Sequence, residues 1–194
     1  MKLWADLLER TCDVVRPSIA KLAGASLDRP TPCAEWSLRQ LLNHTTAAIE
    51  MFAAAAQGGV PAPASPDREV DASPIERFDA AVNLNLAVWR SHAKPAATLT
   101  LPFGEFPAEY VAAVNQLDAL VHGWDIGVSI GLAVTLPDEL SEVAMHMALL
   151  RVPNGRGGVF GPEVTTTSTA PGARLLAFSG RDAARWPADE GELR

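Results

Sequence analysis

"NQLDALVHGWDIG", residues 115–127, is the stretch on which the fold turns. Leu117, Val121 and Trp124, with Val128 one residue beyond, recur at spacings of three and four, the repeat of one helical face. Asp118, His122 and Asp125 follow at i, i+4 and i+7, within about 60° of one another around the same helix. Two carboxylates and an imidazole therefore flank the stripe that the helix most needs to bury. Burying such groups singly is costly, so they require partners. A divalent metal serves several at once, and an Asp four residues before a His puts both side chains on one face, as metal sites in bundle cores do. A local hydrogen-bonded Asp–His pair fits the same spacing. Asp125 could equally accept from a tryptophan N–H or from a backbone group exposed by Pro17.

The helix carrying this stretch should run from about residue 107 to 130. Upstream, Ser73 and Glu76 have capping-box spacing with Pro74 at the first helical position, which predicts a helix over 74–93 through Phe78, Val82, Leu86 and Trp89. "ATLTLPFGEF" (97–106) alternates weakly, as a short strand or hairpin would. Ser37 and Gln40 form a second capping box, opening a helix over 38–57 with Leu38, Leu41, Leu42, Ile49 and Phe52 on its apolar face. Residues 2–23 read as a further helix through Trp4, Leu8, Cys12, Val15, Ile19 and Leu22, with a kink expected at Pro17. A shorter helix fits 137–150. The tail from Arg151 is rich in Gly, Pro and Thr, with one apolar cluster at "RLLAFSG" (174–180).

Four long amphipathic helices and little strand predict an all-α four-helix bundle. The linker "GGVPAPASPDREVDAS" (58–73) is long enough to cross the whole bundle, which would leave the second and third helices parallel. The expected organisation is a bundle over 1–150 with a short C-terminal extension over 151–194 packed on it.

Composition sets limits on function. The chain has 194 residues, 48% of them hydrophobic, enough for one substantial core. The net charge of -7 argues against nucleic acid as a partner, since phosphate binding needs a basic stripe. No run approaches the roughly 20 apolar residues of a membrane span. The first residues carry Asp6, Glu9 and Arg10 where a signal peptide would be apolar, so no secretion and a cytoplasmic location are expected, with Cys12 and Cys33 both reduced. Of the four histidines, His92 should be exposed at a frayed helix end and His146 a packed or surface residue. His44, at the margin of the buried face of its helix, is the best third ligand beside Asp118 and His122.

"TPCAEWSLRQLLNH" (31–44) and "DALVHGWDIG" (118–127) resemble the two signature segments of the mycothiol-dependent maleylpyruvate isomerase metal-binding domain family, within the DinB-like superfamily of four-helix bundles. "VFGPEV" (159–164) and "RLLAFSGRD" (174–182) are similar to its C-terminal segments. The resemblance implies a long crossover between the second and third helices. It also implies a divalent metal, zinc or nickel, held by His44, Asp118 and His122, with Asp118 standing where the isomerase-type pattern has Glu. Asp is one methylene shorter, so the helix must approach the metal more closely or a water must bridge. Asp125 is then expected to hold a ligand or a backbone group in place.

Cys33 is expected to be a small packed residue, Trp36 to plug the end of the core and Trp124 to pack between helices. Gly123 and Gly127 weaken their helix by about 1 kcal/mol each relative to Ala, which predicts a close neighbour. The function implied by the resemblance is activation of a low-molecular-weight thiol, mycothiol, for attack on a small electrophile, in a chain that could form a homodimer. The alternative is a non-catalytic, stress-related bundle that binds a metal or small ligand.

Overall fold

The computed structural model describes residues 2–67, 73–91 and 97–186. Among them are α1 (Lys2–Ala20), α2 (Leu38–Ala56), α3 (Pro74–Ser91), α4 (Ala108–Ser129), α5 (Asp138–Gly155) and α6 (Pro171–Phe178). An antiparallel hairpin of β1 (Thr98–Leu101) and β2 (Gly104–Pro107) leads into α4. The Ser37–Gln40 capping box forms in both directions and starts α2 where the sequence predicts. α1 runs through Pro17 and stops at Ala20, three residues short of the expected end.

Helix direction follows from the side chains that join the helices. Arg77 donates to Asn43 Oδ1 and Asn85 donates to the carbonyl of Ile49, so contacts advance together along α2 and α3 and the pair is parallel. Arg16 pairs with Asp79 while Arg90 pairs with Glu9, so α1 and α3 are antiparallel. Gly123 faces Val15 and Gly127 faces Ser18, so α1 and α4 are parallel. Consecutive helices that run parallel, as α2 and α3 do, require a connection of bundle length between them. The described part of the linker runs back along α2. Ala64 O lies against His44, Pro66 O accepts from Asn43, and Asp67 accepts from Gln40.

α4 is the central helix, buried on almost every side. Its glycines set how closely α1 approaches: a Cβ at Gly123 would lie 2.2 Å from Val15 Cγ2, and one at Gly127 would lie 2.7 Å from Ser18 Oγ. Losing about 1 kcal/mol of helix propensity per glycine is offset by that contact. Polar groups inside are tied across helices, Asn115 donating to Asn85 and Gln116 to the carbonyl of Leu140. Trp124 packs in the core and donates to Val134 O.

The tail carries more helix than the expected end of the fifth helix at residue 150 allows. α5 continues through Pro153 to Gly155, and α6 adds Leu175 and Leu176 to the core. Arg156 fastens the intervening segment, donating to the carbonyls of Gly161 and Phe178. No helix among the described residues is long and apolar enough to cross a membrane.

Candidate functional site

α2 and α4 run antiparallel, and this sets His44 of one opposite Asp118 and His122 of the other. His44 Nε2 is 3.9 Å and His122 Nε2 3.6 Å from the same oxygen, Asp118 Oδ1. The three donor atoms all lie within 4.8 Å of one another. These separations are too long for hydrogen bonds. Two ligands about 2.1 Å from a tetrahedral ion sit roughly 3.4 Å apart, so the spacing suits a shared cation after small rotamer changes.

Both rings are oriented from behind. A backbone carbonyl only accepts, so the 3.2 Å contact between His44 Nδ1 and Ala64 O makes Nδ1 the donor and leaves Nε2 with a free lone pair when the ring is neutral. His122 Nδ1 lies 3.1 Å from Asp125 Oδ2. Asp125 is fully buried, and burial alone would raise its pKa; the charge of Arg181 and the hydrogen bond from His122 overcome this and hold it at about 2. An ionised Asp125 accepts only, so His122 also turns its Nε2 toward Asp118.

Arg181, which the sequence does not single out as a site residue, completes this network. Its Nε and Nη2 reach the two oxygens of Asp125 at 3.2 and 2.8 Å, and its third nitrogen donates to Ser179 O at 2.9 Å. Burial works against the guanidinium's charge, but Asp125 more than compensates and its pKa is raised. Cys33 also departs from the expectation of simple packing. Its thiol donates to Asp125 Oδ2 at 3.3 Å and accepts from Arg181 at 3.2 Å. Burial first, then the neighbouring carboxylate, pushes the Cys33 pKa well up, so the sulfur stays protonated.

The histidines are covered by Trp36, whose ring centroid is 4.4 Å from that of His44 and 6.1 Å from that of His122. Trp36 is thus half-buried beside the site instead of merely plugging the end of the core. For His44, burial disfavours the charged ring, but the Asp118 carboxylate outweighs it and the pKa is raised. For Asp118, burial favours the neutral acid, yet His122 and His44 together lower the pKa. His146 is exposed, against the Glu142 carbonyl of its own helix, and takes no part; His92 lies outside the described residues.

The three donors open onto a pocket of about 700 Å³. Met51, Phe52, Val114, Leu117 and Val121 line its helical side, and Val159, Phe160 and Pro162 of the tail close the other. Such a cavity, apolar with a few convergent polar groups, has the size and character of small-molecule sites.

The molecule has relatives. A family model described as "Mycothiol maleylpyruvate isomerase N-terminal domain" matches residues 8–150. Two uncharacterized proteins of Mycobacterium tuberculosis, from strains CDC 1551 / Oshkosh and ATCC 25618 / H37Rv, are each 29% identical over 177 residues, covering 89% of this chain and 94% of theirs. Crystal structures of the mycothiol-dependent maleylpyruvate isomerase and of a mutant of it match with TM-scores of 0.51 and 0.52. They cover 80% of this chain and 72% of theirs at 15% and 14% identity, a likeness of fold.

Proposed function

Since the chain belongs to the mycothiol maleylpyruvate isomerase N-terminal domain family, we propose that it is a thiol-dependent isomerase or transferase whose divalent ion is held by His44, Asp118 and His122. Zinc or nickel suits two imidazoles and one carboxylate. In this reading residues 1–150 form the metal-binding bundle and 151–194 an extension that carries Arg181 to it. Mycothiol is the thiol by analogy with the family's name.

The observation that carries the reading is the convergence of those donors on the floor of a mainly apolar pocket. A divalent ion bound there supplies Lewis acidity, which keeps a thiol ionised at neutral pH. The chain's own residues provide the rest. Ala64 O and Asp125 hold the two rings so that each Nε2 faces the pocket. Arg181 cancels the charge of Asp125, so that carboxylate orients His122 without taking its proton. Trp36 and the apolar walls limit water around an attacking sulfur and a small electrophile. Three protein donors leave room for an exogenous ligand, the arrangement of catalytic and not structural zinc sites.

Elemental analysis of purified protein, followed by turnover of electrophile panels with mycothiol and other thiols, tests this. About one ion per chain and metal-dependent, thiol-dependent turnover are expected. Metal without turnover would leave a binding bundle; failure to take up zinc or nickel at micromolar concentration would overturn the metal assignment.

A further inference from the structure

Two arginines line the pocket, and among the described residues only one of them has hydrogen-bond partners. Arg181 spends its donors on Asp125, Ser179 and Cys33. Arg151, near the end of α5, has no hydrogen bond or ion pair to any described residue. It is nonetheless held: its guanidinium carbon sits 4.9 Å from the centroid of the Phe103 ring. Phe103 is itself braced, 5.5 Å from Phe106, which stacks on Tyr110 at 4.7 Å. Phe103 stays 43% exposed to make this platform.

A cation–π contact does not consume the N–H donors of a guanidinium. A planar guanidinium pairs bidentately with a carboxylate, and a side chain already resting on a ring has less entropy to lose in doing so. The pocket beyond is walled by apolar side chains, Met51, Phe52 and Leu117 among them.

We propose that Arg151, seated on Phe103, is the anion-recognition point of the pocket, and that the pocket's substrate is a carboxylate bearing an apolar body. This rests on the reading of the cavity as the substrate site. The apolar body lies along α2 and α4, and the carboxylate is fixed at the rim. The other end of the molecule is thereby directed toward the His44–Asp118–His122 floor. Arg151 is a specificity-determining residue in this assignment and takes no part in the chemistry.

The test uses an inert matched pair, naphthalene-2-carboxylate and naphthalene-2-carboxamide, titrated calorimetrically into full-length protein. Wild type, Arg151→Gln and Arg151→Lys are compared, each as purified and after metal removal by chelation. The acid is expected to bind wild type about ten- to a hundredfold more tightly than the amide, the range for a charge-assisted hydrogen bond. That ratio should survive metal removal, fall to within about twofold in Arg151→Gln, and be largely kept in Arg151→Lys, while amide affinity stays constant and reports a folded pocket. Equal binding of acid and amide to wild type would overturn the proposal. So would a preference for the acid that persists in Arg151→Gln, and one that vanishes on chelation would place the carboxylate on the metal instead. Metal content, measured separately, reports on the proposed metal function alone, so failure of one reading is distinguishable from failure of the other.

Discussion

His122 has two nitrogens, and each faces a different kind of cluster. On the Nδ1 side, Asp125, Arg181 and Cys33 lie within 2.8–3.3 Å contacts, deep in the protein. On the Nε2 side, at the pocket floor, Asp118 Oδ1 stands 3.6 Å from His122 Nε2 and 3.9 Å from His44 Nε2. The first set contains its own cation, and every contact has contracted to hydrogen-bond length. The second has a carboxylate and two imidazoles but no permanent positive charge, and its members keep a distance that a bound ion would fill. The spacing of a polar cluster therefore indicates whether its charge is balanced by the chain or left for a ligand.

The largest break in that comparison should come from Arg181→Ala. Removing the guanidinium strands a buried carboxylate, a change that typically costs about 3–5 kcal/mol. Urea unfolding of the metal-free protein should register the loss, and a cost under about 1 kcal/mol would mean that Asp125 finds water instead. Acid should open the same cluster more gently. Asp125 titrates at about 2 in the folded chain, against roughly 3.9 when unfolded. Its depressed pKa stabilises the fold fully above the unfolded value, and that stability is lost as pH falls from about 4 through 2. The sum is on the order of 2 kcal/mol. In Asp125→Asn this part of the acid sensitivity should vanish from unfolding curves.

Asp118 sharpens the comparison from the other side. Asp118→Asn should leave the stability of metal-free protein within about 1 kcal/mol, because the side chain is partly exposed and makes no short contact. Zinc affinity in a chelator competition should nevertheless fall at least about tenfold, since one negative donor is gone. Asp118→Glu should keep the metal. Equal zinc occupancy of wild type and Asp118→Asn at limiting zinc would remove Asp118 from the ligand set.

Much of this arrangement is legible in the sequence because it lies within single helices. The period of 115–127 fixes which residues of α4 share a face, and the Ser37–Gln40 box sets the phase of α2 and with it His44. The 58–73 linker reveals the parallel pair through length alone. Arg181 is not legible in this way. It lies 56 residues beyond Asp125, after an eight-residue helix too short to leave a clear period, in a tail rich in Gly, Pro and Thr. Its only local signal is a cation directly following the apolar run "RLLAFSG". α5 passes the expected stop and runs through Pro153, giving up the one backbone donor that proline lacks. Cys33 and Trp36 read as packing residues because their polar or aromatic partners sit on another helix.

The contact between Arg181 and Cys33 joins positions 148 residues apart. A chain emerging from the ribosome can assemble α1 to α4 long before that contact is possible, and through that interval Asp125 has no guanidinium to meet in the interior. Closure of this cluster therefore waits for the segment after α6, a non-local step that comes after the bundle helices have been made. A nascent chain that stops short of Arg181 would hold Asp125 with no guanidinium beside it.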